Sequence, residues 1–233
     1  MNKNKKEVWI IKHYGNCKNL VDNNNKEKCC SKCVQLEKKD TTRYLGIEID
    51  KNWNFKPHIS QLIKKLRQIT PKLYQIKTIL NNKQKKIIYD AWIGSILRYG
   101  TEIYGHASEY LINRLQKIQN KLIKILFGNG KKYKTHILFK KNRIMNIKEI
   151  KDFAILSKYY FNNKYKNYTS CHSRIRGGNR KFRLPQWRNQ YGKRRREWYI
   201  PEIFNDVSEN MLKLTSIMEF KREFTNNIFK ETT

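Results

Sequence analysis

Three groups of residues have the types and spacing for chemistry. His13, Cys17, Cys30 and Cys33 follow the pattern H-x3-C-x12-C-x2-C, with Cys29 adjacent. Thiolates and one imidazole at such spacing form a donor set that closes a tetrahedral zinc site. A single C-x2-C pair is a weak signal, and the same cysteines also read as reduced thiols in a polar loop. Spacing leaves both readings open.

Carboxylates are the second group. Two divalent ions at a polymerase or nuclease centre need at least two closely placed acids. Asp22, Asp40, Asp50, Asp90, Asp152 and Asp206 are scattered, none adjacent to another. His58, His106, His136 and His172 have no Ser or Cys at a spacing that suggests a nucleophile and its base, so they read as surface or half-buried residues. The chain is expected to hold no catalytic residue, no metal site of its own and no cofactor.

The third group is a basic segment. Arg174, Arg176, Arg180, Lys181, Arg183, Arg188, Lys193, Arg194, Arg195 and Arg196 alternate with Phe182, Trp187, Tyr191, Trp198 and Tyr199. Cations suit phosphates and rings suit bases, the two contacts a nucleic acid offers. The pattern also fits core aromatics with a solvated cationic face. The balance of the whole chain favours the first reading: 51 Lys and Arg against 19 Asp and Glu give a formal charge of +32. Such a charge repels itself in a compact particle unless a polyanion offsets it. An AT-rich coding sequence accounts for many Lys and Asn, but less well for clustered Arg. A membrane surface or an acidic protein is the lesser alternative.

The elements that position these groups follow from periodicity. Residues 1–50 carry short β-branched and aromatic runs, VWIIKHY, CVQLEKK and TRYLGIEID, bounded by Gly, Asn and Asp. They predict a strand fragment and then a second strand pair, too little sheet to be stable alone. In TRYLGIEID, Leu45, Ile47 and Ile49 alternate as if packed on one side. From Pro57 the period becomes helical, with Ile59, Leu62, Ile63, Leu66, Ile69, Leu73, Ile76 and Leu80 on one stripe. Pro71 should break or kink that helix. A second run places Ile87, Ile88, Ala91, Trp92, Ser95, Ile96 and Tyr99 on one face and ends at Gly100. A third carries Leu111, Leu115, Ile118, Leu122, Ile125 and Leu126 between an N-cap at Ser108 and Gly128. Each stripe needs a partner, so the three form a bundle. Further helices are expected near 147–161 and 216–229, the latter opened by a capping box of Ser216 and Glu219. The fold class is mostly α with a small β portion, divided as 1–50, 51–128 and 129–233. The basic faces of the first two helices, Lys56, Lys64, Lys65, Arg67, Lys72, Lys77, Lys83, Lys85 and Lys86, are individually uninformative, since any bundle helix has a polar face.

No apolar run reaches the length of a membrane span, and MNKNKKEVWIIKH lacks a signal-peptide core. An intracellular protein, nuclear or cytoplasmic, is the expectation, and five mostly crowded cysteines agree with it.

Several spaced motifs in order resemble reverse transcriptases of non-LTR (LINE or jockey-type) retrotransposons. RYLGIEIDKNWNFKPHI resembles K-Y-L-G-I-x-I-D followed by W or L, F and H-I. AWIGSILRYGTEIYG resembles Y-x-x-x-x-S-x-L-x-Y-G-x-x-x-W-G, with Tyr104 where Trp is usual. LQKIQNKLIKILFG resembles L-Q-x-x-Q-N-x-x-x-R-x-I-x-G, with Lys124 for Arg. FRLPQWRNQYGKRRREWYIPEIFN and LTSIMEFKREF resemble the closing segments, with Ile200 for Gly and Phe204 for Trp. The resemblance runs from about Lys5 to the C-terminal helix.

It implies the end of a polymerase palm, a primer-grip hairpin, a helical thumb and a basic C-terminal region. Arg43, Tyr44, Leu45 and Gly46 would hold a primer 3′ end. Lys64, Lys65 and Arg67 would face the RNA–DNA hybrid, and the basic remainder would touch template RNA or target DNA. The full-length family uses magnesium on aspartates of a F/Y-A-D-D turn that this sequence does not contain, so the chain alone is expected to bind template–primer without polymerising. The rival readings are a non-enzymatic basic RNA- or DNA-binding module, with or without zinc, and an inert truncated gene product.

Overall fold

The computed structural model describes residues 8–10, 20–21, 27–28, 35–37, 40–128, 134–161, 182–186, 189 and 192–230. The chain divides into two compact units, Met1–Asn52 and Trp53–Thr233.

The first unit is built of two-stranded antiparallel ladders. β1 (Val8–Ile10) pairs with β4 (Gln35–Glu37), and β2 (Leu20–Val21) pairs with β3 (Glu27–Lys28). The CVQLEKK run therefore joins the first strand rather than TRYLGIEID. That segment closes on itself: β5 (Thr41–Tyr44) and β6 (Ile47–Asp50) form a hairpin in the register Tyr44 to Ile47. Two residues make its turn, Leu45 at φ 46° and Gly46 at φ 78°. Positive φ at both positions is the type I′ geometry whose twist matches a hairpin. Gly46 adopts it without cost, whereas Leu45 sits in a region hostile to branched side chains. The expected alternation fails at the same residue: Ile47 is buried, but Leu45 is 71% exposed because it caps the turn.

The second unit is helical. α1 (Lys56–Ile76) runs unbroken through Pro71, contrary to the break expected there. It buries Ile59, Leu62, Ile63, Leu66 and Leu73, largely the predicted stripe, against α5 (Glu109–Phe127), which buries Leu111, Leu115, Leu122, Ile125 and Leu126. Truncating any one fully buried leucine of this seam to Ala removes about 2–5 kcal/mol. Ser108 precedes α5 but makes no side-chain cap.

Between these two helices lies the largest departure from the predicted pattern. α2 (Asn82–Ile88), capped by a reciprocal Asn81–Gln84 box, runs into a π-helical turn, Tyr89–Gly94, and then α3 (Ser95–Arg98). The wide turn keeps Tyr89, Ile93 and Leu97, spaced by four, on the inner face. A pattern read at 3.6 residues per turn places Ile87 and Tyr99 inside, yet they are 67% and 56% exposed. Gly100, at φ 67°, ends this run as expected and leads into α4 (Thr101–Tyr104).

α6 (Thr135–Lys141) packs on α5, and α7 (Ile147–Phe161) packs on α3, α4 and α5. α7 also meets α8 (Arg196–Asn205) and α10 (Ile217–Phe229), with α9 (Glu209–Leu212) against α10. Their shared core includes Leu156, Tyr160, Ile200, Phe204 and Phe220, with the Tyr160 and Phe220 rings stacked at 4.0 Å. At the start of α10 the Ser216 hydroxyl accepts from Met218 N–H, one residue earlier than a capping box with Glu219 requires.

Candidate nucleic-acid interface

The apolar seam of α1 and α5 fixes what lies on either side of it. α1 contains no acidic residue, and Glu109 is the sole acid of α5. Two successive hollows lie along this helix pair. The first, about 420 Å³, is lined by Lys64, Arg67, Gln68 and Arg114. The second, about 530 Å³, is lined by Tyr74, Lys77, Lys117, Lys121 and Lys124. Arg114 lies beside the first half of α1 and Lys124 beside its end, so the helices run alongside one another. On α5 the cations recur at 114, 117, 121 and 124, one stripe of helical period flanking the buried leucines. The result is a trough with cations from both walls and, among the described residues, no carboxylate in either lining.

The inner side of the trough stays neutral. His58 is buried on α1, its ring 5.2 Å from that of Tyr104, and burial, then the Lys65 charge, holds its pKa below the ordinary histidine value. Tyr104, the residue that replaces the motif's Trp, is fully buried and donates its hydroxyl proton to the Leu97 carbonyl.

The LQKIQN motif supports the trough from beneath. Gln119, fully buried, donates from Nε2 to the Tyr89 hydroxyl at 2.8 Å and to the Met145 carbonyl at 2.9 Å. Gln116 donates from Nε2 to Gln119 Oε1 and Asn120 Oδ1, both at 2.8 Å, and accepts from Ile147 N–H at 3.0 Å. The three amides tie α5 to the π-turn and to the start of α7, where Asn146 and Glu149 form a reciprocal cap. Each buried amide group so satisfied avoids the desolvation cost of an orphan.

A second cationic site forms around His106. A hollow of about 400 Å³ is lined by Trp53, Phe55, Glu102, His106, Tyr199 and the three arginines Arg194, Arg195 and Arg196. His106 stacks on Tyr199 with ring centroids 3.7 Å apart, and its Nε2 has no hydrogen-bond partner among the described residues. Burial, with help from Lys151 and Arg194, lowers its pKa to about 3. Trp53 and Phe55 have φ of 52° and 56°.

Of the residues predicted from sequence, Arg43, Tyr44 and Leu45 are exposed at the hairpin tip with Gly46. Lys64 and Arg67 line the trough, while Lys65 is exposed outside its lining. Arg194, Arg195 and Arg196 meet at the His106 hollow; Arg183 and Lys193 are exposed elsewhere, with Lys193 Nζ 5.6 Å from the Trp198 ring centre. Arg174, Arg176, Arg180, Lys181 and Arg188 fall outside the described residues, as do His13, Cys17, Cys30 and Cys33. Among the described residues no group of three His, Cys, Asp or Glu is placed to hold a metal. Sequence reasoning missed Arg114, Lys117, Lys121 and Lys124. Their signal is a cationic stripe of period three to four on a helix almost free of acids.

Comparison with known proteins gives three matches among mobile-element polymerases. The chain is 29% identical over 99 residues to a probable RNA-directed DNA polymerase from transposon BS of Drosophila melanogaster, covering 40% of this chain and 11% of the relative. It is 29% identical over 98 residues to the probable polymerase from transposon X-element of the same species, covering 41% and 11%. It is 26% identical over 135 residues to the RNA-directed DNA polymerase from mobile element jockey of Drosophila funebris, covering 52% and 14%. The chain thus spans about a tenth to a seventh of the length of these relatives. No family model and no solved structure matches. The chain resembles, as its motifs do, part of a non-LTR retrotransposon reverse transcriptase.

Proposed function

We propose that this part of a reverse-transcriptase-like polymerase grips the sugar–phosphate backbone of a template–primer duplex along the α1–α5 trough, in the manner of a thumb. The single observation that supports it is the trough itself: Lys64, Arg67 and Lys77 on one wall face Arg114, Lys117, Lys121 and Lys124 on the other, without an acid between them among the described residues. Like charges brought this close are costly unless an anion lies between them. Cations lining a trough between two helices suit phosphates, and phosphate contacts position a duplex without reading its sequence. The hairpin tip, with Tyr44 and Leu45 exposed, is the companion contact at the primer end in this reading.

The chain by itself is a binder rather than a polymerase in this proposal, and magnesium chemistry belongs to residues outside it. Binding to an RNA–DNA hybrid as a function of salt tests the first half. The expected log K against log [salt] line is steep and negative, by about 0.9 per phosphate neutralised. A slope near zero refutes a phosphate grip. Primer extension on an RNA template with magnesium tests the second half, where robust synthesis by this chain alone overturns it. A cooperative thermal transition would exclude an unfolded product, and salt-dependent hybrid binding an inert one.

A further inference from the structure

The hollow around His106 differs from the trough in what it offers a ligand. It combines three arginines with aromatic rings, one of them, Trp53, 51% exposed. The arginines are placed where folding alone would not choose them. Arg194 ends the 3-10 turn Gly192–Arg194, Arg195 is the N-cap of α8 without a side-chain cap bond, and Arg196 is its first residue. Cations at a helix N-terminus oppose the positive end of the helix dipole. An anion seated among them removes that conflict. Of the acids here, Glu102 lines the hollow and pairs with Lys158 Nζ at 2.5 Å, and Glu197 holds Arg196 through Nε at 3.0 Å.

The aromatic side is equally unusual. Trp53 and Phe55 both occupy left-handed backbone, where bulky residues are rare, and both line the hollow. Arg194 Nη1 donates to Asn54 Oδ1 at 3.3 Å, tying this strained segment to the arginine turn. Strain held in place by such a tie is characteristic of binding sites.

We propose that this hollow takes one unpaired nucleotide, its base against the exposed indole of Trp53 and its phosphate at Arg195 and Arg196. The volume of about 400 Å³ lies at the small end of the ~300–1,000 Å³ range of ligand sites, as a single nucleotide requires. The His106 ring, stacked on Tyr199, lines the hollow with its Nε2 buried. The choice of nucleotide over other anions rests on the nucleic-acid reading above. The two sites thus divide the work: the trough holds paired backbone, and this hollow captures a single-stranded unit.

The test uses the full chain with three probes: fluorescein-labelled oligo(U), an RNA–DNA hybrid hairpin and free UMP. Trp53→Leu is expected to weaken oligo(U) binding by about 5- to 150-fold, the range of one base stack removed, and Arg195→Ala with Arg196→Ala to weaken it by a similar factor through lost charge-assisted phosphate contacts. Hybrid binding should change by no more than about twofold, and Trp53→Phe should retain most of the oligo(U) affinity. UMP binding with the same sensitivity identifies the hollow as sufficient for a nucleotide. UMP that fails to bind, with oligo(U) still sensitive, shows that neighbouring phosphates in the strand contribute, and also supports the site. Unchanged oligo(U) affinity in both variants overturns the proposal, and so does equal loss on oligo(U) and hybrid. The arginine pair, exposed in the chain, carries the test if Trp53→Leu fails to fold. Failure of the trough reading shows separately, as hybrid binding indifferent to salt.

Discussion

The trough and the His106 hollow are both cationic, yet they are built on opposite principles. The trough obeys local rules: long helices, one apolar stripe each, cations on the outward flanks, and a buried amide network beneath. The hollow breaks them, with two aromatic residues in left-handed backbone and three arginines at a helix N-terminus. Where every level of preference agrees, the sequence predicts the structure and the surface is generic. Where preferences conflict, the surrounding fold must impose the geometry, and a specific contact is the usual reason. The trough should therefore respond to charge alone, the hollow to shape and ring chemistry.

The largest effect expected is on the trough. Neutralising Arg114, Lys117 and Lys121 together to Gln should lower the salt slope of hybrid binding by about three, one for each phosphate no longer neutralised. Thermal stability should hardly change, because these side chains flank the seam rather than fill it. If the slope stays put while affinity falls, the cations act through structure and the contrast with the hollow collapses.

Next in size is the support beneath the trough. Gln119→Leu preserves volume but leaves the Tyr89 hydroxyl and the Met145 carbonyl buried without their partner. Each orphan costs about 1–3 kcal/mol; at about 1.5 kcal/mol apiece the sum is about 3 kcal/mol. For a chain of this size that corresponds to a Tm lower by about 6–12 °C in calorimetry. The salt slope should remain as in the parent. A variant as stable as the parent would mean that water replaces the amide and that LQKIQN does not brace the trough.

These cases show how much of the molecule is legible in the sequence. The leucine and isoleucine stripes of α1 and α5 are plain at a 3.6-residue period, and so are the ends at Gly100 and Gly128. The inner face between them is not, because a π-turn at Tyr89–Gly94 changes the period locally and no residue type announces it. Pro71 suggests a break, but a helix whose other residues are firmly seated absorbs the absence of one hydrogen bond. The stripe Arg114, Lys117, Lys121 and Lys124 is readable but easily overlooked, since each lysine alone is ordinary. The hollow is beyond the sequence: Trp53 and Arg194 are far apart in the chain, and only the fold brings them to one cavity.

The hollow itself predicts a pH effect. The folded pKa of His106, about 3, lies below its ordinary 6.5. As pH falls through that window the unfolded chain takes up the proton first, so His106 contributes stability above about pH 6.5 that is lost toward pH 3. The slope is at most about 1.4 kcal/mol per pH unit. Asp152, Glu149 and Glu202, whose pKa values burial raises, work in the opposite sense. The difference between parent and His106→Phe, which keeps a ring against Tyr199, isolates the histidine. Denaturant unfolding across about pH 4–7 should show a parent curve that drops more on acidification than the variant's. Parallel curves would mean that His106 is solvated and that the hollow is open in solution.

The smallest effect tests whether the principle drawn from the hollow extends to the hairpin of the first unit. A type I′ turn favours Asn before Gly, yet this chain has Leu45 at φ 46° with its side chain 71% exposed. Leu45→Asn should relieve the left-handed strain and slow hydrogen exchange across residues 41–50 by up to about fivefold, equivalent to about 1 kcal/mol. If the exposed leucine serves contact with a primer end, the same variant should bind a hybrid with a recessed 3′ end more weakly while its affinity for blunt hybrid is unchanged. Gain in exchange protection with loss in end binding would class Leu45 with Trp53 and Phe55, as a residue kept in strained backbone for what it touches. Gain in protection with binding intact on both substrates would confine that principle to the hollow.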